Sequence, residues 1–166
     1  PNGDRQRYYM ERIPITAAGH AKLEAELKDL KSNARPQVIQ EIATARDHGD
    51  LSENAEYDAA KEKQSHIEGR IAELEDKLGR CEVIDVAAMS GRNIKFGATV
   101  LLVDEDTDEE ITYQIVGDDE SNIEEGRIAI SAPLSCALIN KEQGDSIEVT
   151  TPGGSKAYEI LDVKFV

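Results

Sequence analysis

Apolar residues in the first half of the chain recur at steps of three and four, the spacing that places side chains on one face of an α-helix. The first stripe lies within residues 16–48 and comprises Leu23, Leu27, Leu30, Ala34, Val38, Ile42 and Ala45. Thr16 is placed to cap this helix, whereas Pro36 interrupts the pattern from within. Because the stripe resumes in phase after Pro36, we expect a bend in one long helix.

A second stripe has the regular three-and-four alternation of a coiled-coil seam. It comprises Tyr57, Ala60, Gln64, Ile67, Ile71, Leu74, Leu78 and Cys81. Only the short polar turn at residues 47–52 separates the two stripes, and a short connection makes two helices antiparallel neighbours. We therefore predict an antiparallel coiled-coil hairpin over residues 10–84, with its tip near residues 47–53 and arms about 45 Å long.

The pattern changes after a linker at residues 85–96. Short alternating segments separated by Gly, Asp and Asn turns are typical of β-strands, and they lie at residues 98–103, 110–116, 127–131, 146–150 and 156–163. Pro133 is placed at the first turn of a short helix over residues 133–140. The fold class is therefore α+β: residues 97–166 form a compact domain with an antiparallel sheet and one helix on its face.

The first nine residues have no periodic pattern. We interpret residues 1–9 as an expression remnant or a disordered arm, with Met10 as the native start. A genuine short N-terminal extension is the alternative.

Charge and cysteine content narrow the function classes. The 19 Lys and Arg residues against 34 Asp and Glu give a net charge of -15, which disfavours a free-standing nucleic-acid binder. The sequence contains neither a membrane-spanning apolar run nor a signal-peptide pattern. Cys81 and Cys136 lie far apart, so we expect two buried apolar residues in a reducing cytoplasm, with a reactive thiol or a mutual disulfide as alternatives.

The candidate chemistry lies at the hairpin tip. Asp50 and Glu53 are three residues apart near a helix start, where their carboxylates can point the same way and offer Mg²⁺ two hard oxygen ligands. The alternative is a capping box, in which Asp50 caps the helix and Glu53 supports it. A cap at Ser52 instead would free Asp50. Two carboxylates alone hold Mg²⁺ weakly, so the chemistry needs ligands from elsewhere.

The tip sequence ARDHGDLSENAEY at residues 45–57, with MERIPITAAG at residues 10–19, resembles the bacterial Gre transcript-cleavage factors. These are transcription elongation factors, and their GreA-type branch is the closer match. The resemblance covers nearly all of residues 10–166, and the tip motif is highly specific. The resemblance continues through residues 68–71, 115–120, 130–134 and 151–154.

The resemblance implies a finger that enters the secondary channel of bacterial RNA polymerase, with a C-terminal domain similar to FK506-binding proteins on the channel rim. Polymerase contacts would lie around Pro133, Leu134 and Leu138. Asp50 and Glu53 would help to hold the second Mg²⁺, shared with polymerase and not bound stably alone. Polymerase would then hydrolyse its own backtracked RNA and escape arrest, so the factor would stimulate an enzyme without being one.

The resemblance also gives roles to residues near the tip. Arg46 and Lys61 would face RNA phosphates, with pairing to nearby acids on the helices as the alternative. His48 is either a proton carrier or an exposed polar residue. Tyr57 either packs in the seam or contacts polymerase or RNA.

Three other functions compete with transcript cleavage. A non-cleaving channel binder that inhibits polymerase would have the same shape, but the paired acids favour cleavage. A peptidyl-prolyl isomerase would need a more aromatic pocket than Phe96, Tyr113, Tyr158 and Phe165 provide. A coiled-coil adapter without chemistry is the third. Because the hairpin satisfies its own seam, we expect a monomer.

Overall fold

The computed structural model describes residues 12–48 and 54–166. The chain divides into two compact units, His20–Cys81 and a unit formed by Pro1–Gly19 with Glu82–Val166. None of the helices in the described ranges has both the length and the apolar character needed to cross a membrane.

The His20–Cys81 unit is a helical hairpin. Helix α1 spans Ala17–Asp29, a π-helical turn spans Leu30–Ala34, α2 spans Arg35–Asp47, and α3 spans Ala55–Arg80. Both stripes lie at the helix interface, where the buried positions are Leu23, Val38, Ile42, Ala45, Ala60, Ile67, Ile71 and Leu74. The predicted pair of antiparallel helices is confirmed.

Pro36 is accommodated by the π-helical turn that precedes α2. A proline inside an α-helix lacks the N–H of the regular ladder, and its ring clashes with the carbonyl four residues earlier. The extra residue of a π turn opens the ladder at that point. Ala34 and Arg35 keep helical dihedrals, so the helical path continues through the interruption. The expectation that Pro36 does not end the helix is confirmed.

The second unit contains a five-stranded sheet, whose strands are β3 (Thr99–Asp104), β4 (Glu110–Val116), β5 (Arg127–Ala129), β6 (Ser146–Thr151) and β7 (Gly154–Lys164). Across the sheet they lie in the order β5–β4–β3–β7–β6. The pairs β3–β4, β3–β7 and β6–β7 are antiparallel, but β4–β5 is parallel. The prediction of a wholly antiparallel sheet was wrong at this edge, because residues 117–126 cross over through two short 3₁₀ turns.

A short helix, α4 (Pro133–Leu138), packs on the sheet as expected. Leu138 lies in one core cluster with Val100, Leu102 and Ile115. Cys136 is exposed, so the expectation that it is buried was wrong. The reason is the helical period: Ser135 and Leu138 are the buried residues of α4, which leaves Cys136 on the outer face. Both cysteines are free thiols.

A small two-stranded sheet in the same unit pairs β1 (Ile13–Thr16) with β2 (Cys81–Ile84). Thr16 caps α1 as predicted, since its Oγ1 accepts a hydrogen bond from the Gly19 N–H at 3.1 Å. The Glu120 carboxylate accepts hydrogen bonds from the Thr16 N–H, the Thr16 hydroxyl and the Gly117 N–H. One carboxylate therefore joins the start of α1 to a 3₁₀ turn of the sheet unit.

Candidate functional site

The candidate site is the turn between α2 and α3. Asp50 and Glu53, the predicted catalytic and Mg²⁺-binding acids, lie outside the described residues. Their two flanks are described: His48 is the C-cap of α2, and Asn54 is the N-cap of α3. The structure therefore describes the two helix ends on either side of these acids.

Asn54 caps α3 through its side chain. Its Oδ1 accepts a hydrogen bond from the Tyr57 N–H at 3.1 Å, which satisfies one of the unpaired N–H groups of the first helical turn. The alternatives that placed this cap at Asp50 or Ser52 were therefore wrong. Both assigned the helix start too early, because several good N-cap types follow one another here and the sequence does not rank Asn54 above them.

The same side chain also reaches the preceding helix. Asn54 Nδ2 donates a hydrogen bond to the Ala45 carbonyl at 2.7 Å, and the His48 N–H donates to that carbonyl at 3.3 Å. Ala45 is buried in the helix interface. The last turn of α2 and the first turn of α3 are thus joined by one amide. Sequence reasoning missed Asn54 as a bridge, since a cross-hairpin contact has no local signal.

Arg46, in the last turn of α2, lies beside Tyr57 in the first turn of α3. The Arg46 guanidinium carbon is 5.8 Å from the centroid of the Tyr57 ring, within the range of a cation–π contact. His48 Nδ1 is 3.6 Å from the Glu56 carboxylate, and both side chains are largely exposed. These contacts connect the two helices next to the turn and keep a basic group there.

Lys61 lies one turn further along α3 and is exposed. Its Nζ donates a hydrogen bond to Gln64 Oε1 at 3.1 Å. The alternative for Lys61 was pairing with an acid, and its partner in the structure is instead a neutral amide. Its charge is accordingly not neutralised by that contact.

Further from the turn, ion pairs join the two arms of the hairpin. Arg70 Nε and Nη2 donate to the Glu26 carboxylate at 2.7 and 2.9 Å, and Arg35 makes the same two-bond contact with Glu68 at 2.7 and 2.8 Å. These hydrogen bonds lower the pKa of the Glu26 and Glu68 carboxyls below the ordinary value of 4.5. A further pair joins Lys63 to Glu41 at 3.0 Å.

The predicted polymerase contacts on α4 differ in their exposure. Pro133 is exposed and Leu134 is half-buried against the core. Leu138 has 0% exposure and is a core side chain, so it lacks the surface that contact with another protein requires. Leu138 is therefore unavailable for that contact.

Within residues 12–48 and 54–166, no group of three or more His, Cys, Asp or Glu side chains could hold a metal ion. The acidic run at residues 104–110 forms the β3–β4 hairpin loop, in which Asp104 Oδ1 accepts from the N–H groups of Asp106 and Thr107.

Both halves of the chain match models of known protein families. Residues 13–83 match the model described as "Transcription elongation factor, N-terminal". Residues 89–165 match the model "Transcription elongation factor, GreA/GreB, C-term". Together the two matches span the hairpin and the sheet unit.

Individual relatives agree with the family matches. Transcription elongation factor GreA of Caulobacter sp. (strain K31) is 62% identical over 157 residues, covering 95% of this chain and 100% of that protein. The protein of the same name from Rhizobium leguminosarum bv. trifolii is 63% identical over 156 residues, covering 94% and 99%. Among solved structures, Gfh1 of Thermus thermophilus aligns with a TM-score of 0.43 and 25% identity over 92% of this chain and 98% of its own. On the two family models and the identity to the two GreA proteins, the chain belongs to the GreA/GreB family of transcription elongation factors.

Proposed function

We propose that the protein stimulates RNA polymerase to cleave its own backtracked transcript, without itself being the enzyme. The hairpin would enter the secondary channel and bring Asp50 and Glu53 to the polymerase active centre. Cleavage leaves a new RNA 3′ end in register, so an arrested complex resumes synthesis. The cytoplasm is the compartment that fits this activity.

The observation that carries the proposal is the cap of α3. Asn54 supplies the N-cap acceptor of α3. Capping of that helix therefore does not explain why Asp50 and Glu53 lie between α2 and α3. The helices on either side are held by ion pairs and by a buried seam. A rigid helical scaffold whose chain carries two carboxylates between its helices is suited to delivering ligands to a site on another molecule.

The donor set of the turn suits Mg²⁺, because carboxylate oxygens are hard ligands and Mg²⁺ retains open positions for water and phosphate. Asp50 and Glu53 would complete a coordination shell that begins with polymerase carboxylates. The ion would polarise the phosphate and supply an activated water for phosphodiester hydrolysis. The part of this chain would be to place two oxygens, and polymerase would provide the remaining ligands.

Basic and apolar residues would support this engagement. Arg46, positioned against Tyr57, would contact RNA phosphates near the acids, and Lys61 would do so one turn away. On the sheet unit, exposed Pro133 and half-buried Leu134 would contact the channel rim.

The proposal is tested with bacterial RNA polymerase halted in a backtracked complex carrying end-labelled RNA and Mg²⁺. Adding the protein should release short 3′ RNA fragments and restore elongation from the shortened transcript. Protein that binds the complex and yields no fragments would contradict the proposal and indicate the inhibitor function. A parallel reaction without polymerase should leave the same RNA intact, because the hydrolytic centre belongs to polymerase.

A further inference from the structure

We infer that Asn54 is a positioning residue, whose amide holds the ends of α2 and α3 together and thereby supports the action of Asp50 and Glu53, which the chain carries between those ends. The inference rests on the proposed function for its catalytic consequence. The bridge itself is a property of the hairpin and can be measured without polymerase.

The two contacts of Asn54 fix the orientation of its amide. A backbone N–H can only donate and a carbonyl can only accept, so Oδ1 must face Tyr57 and Nδ2 must face Ala45. Both bonds are needed to span the hairpin: one is the helix cap, and the other, at 2.7 Å, crosses to α2.

The partner carbonyl is itself well anchored. Ala45 is 2% exposed, at the end of the buried stripe of α2, and its carbonyl also accepts from His48. The helix ends on either side of residues 49–53 are therefore held at a set separation. Fixing the two ends of a connecting segment reduces the number of conformations open to it. Reacting groups displaced by about 1 Å can lose on the order of 100-fold in rate.

Capping and bridging can be separated by substitution. Asp and Ser are as good at the N-cap as Asn, and the φ of −87° and ψ of 92° at this position suit either. Asn54→Asp keeps the acceptor but sets a carboxylate oxygen against the Ala45 carbonyl. Asn54→Ser keeps a neutral acceptor whose shorter side chain lacks the amide donor. A residue that only caps would tolerate both changes.

The test measures single-turnover cleavage of the backtracked RNA over a range of factor concentrations. With Asn54→Ser and Asn54→Asp we expect a rate about tenfold lower at saturation, since one hydrogen bond is lost, and an unchanged concentration for half-maximal effect. Asn33→Ser, which removes an exposed amide bonded to Asp29 in the same hairpin, is the matched control and should leave both values unchanged.

Amide hydrogen exchange of the free protein supplies a second readout. Both Asn54 variants should exchange faster in the last turn of α2, which loses the hydrogen bond to the Ala45 carbonyl, while protection within α3 stays at the wild-type level. This also shows that the variants remain folded.

Each outcome decides the inference. Wild-type rates in both variants overturn it. A higher half-maximal concentration with an unchanged saturated rate also overturns it, because Asn54 would then act in binding. If wild-type protein binds but releases no fragments, the proposed function fails separately. Unchanged exchange in the last turn of α2 would then overturn the bridge.

Discussion

The Glu120 carboxylate links two separate parts of the chain through single hydrogen bonds. It accepts from the N–H groups of Thr16 at 3.1 Å and Gly117 at 2.9 Å, and from the Thr16 hydroxyl. Gly19 leaves room for this carboxylate, because a Cβ at Gly19 would clash with Glu120 Oε1. The absence of a side chain is therefore required by the contact, although glycine within a helix costs stability.

Replacing Gly19 should consequently destabilise the protein. In Gly19→Ala the methyl group would displace the Glu120 carboxylate and break its hydrogen bonds, at a cost of about 1–3 kcal/mol. Urea unfolding measures the change. Gly69→Ala, at a helical position with open space around its Cβ, is the control and should be neutral or stabilising. Equal stability of Gly19→Ala and wild type would refute the Glu120 contact.

A core substitution tests the helix interface at the same scale. Ile71 is 3% exposed in the seam of the hairpin, whereas Ile39 is 52% exposed on α2. Ile71→Ala should lower the free energy of unfolding by about 2–5 kcal/mol, and Ile39→Ala by less than about 0.5 kcal/mol. Similar losses in the two variants would contradict the assignment of the buried face.

Within the elements, the ion pairs across the hairpin make its stability depend on pH. Hydrogen bonds from Arg70 lower the pKa of Glu26, those from Arg35 lower that of Glu68, and those from Lys77 and Arg70 lower that of Glu73. A lowered folded-state pKa contributes stability that is fully present above the unfolded value of 4.5 and is lost as pH falls through the folded values.

Removing Arg70 should therefore weaken this acid sensitivity. Arg70→Gln should be less stable than wild type at pH 7, and the difference should shrink as the pH is lowered below 4.5. Urea unfolding of the full chain at a series of pH values measures it. Lys61→Gln, which loses a contact to a neutral amide, should keep the wild-type pH profile. A constant difference for Arg70→Gln would contradict the ion-pair assignment.

An element can be predicted from the sequence when the residues that determine it lie close together along the chain. The stripes through Val38 and Ile71 predicted the hairpin, because burial of one helix face repeats in the sequence. The parallel β4–β5 pair and the exposure of Cys136 depend on how segments pack, which a local pattern does not encode. The cap at Asn54 was missed for a related reason: Asp50, Ser52 and Asn54 are all good caps, and the Ala45 carbonyl that selects Asn54 lies on another helix.

At the scale of the whole molecule, the apolar stripes of the hairpin cover one another within one chain, since Val38, Ile67 and Ile71 pack together. A coiled-coil seam satisfied internally does not need a second copy. We therefore expect a monomer, with a mass by light scattering that does not change with concentration. A mass that doubles as the concentration rises would contradict this expectation.

Asp50 and Glu53 are proposed to act in the chemistry and not merely in the fold or in binding. The most direct measurement is the cleavage rate of backtracked RNA at saturating factor, followed over a range of Mg²⁺ concentrations, for Asp50→Asn and Glu53→Gln. Asp58→Asn, an exposed acid in the first turn of α3, is the control with the same change of charge.

We predict that both tip variants bind polymerase like wild type, cleave far more slowly, and need at least about tenfold more Mg²⁺ for their half-maximal rate. Asp58→Asn should behave like wild type in all three respects. Tip variants that cleave at the wild-type rate with the wild-type Mg²⁺ dependence would contradict a role of Asp50 and Glu53 in cleavage.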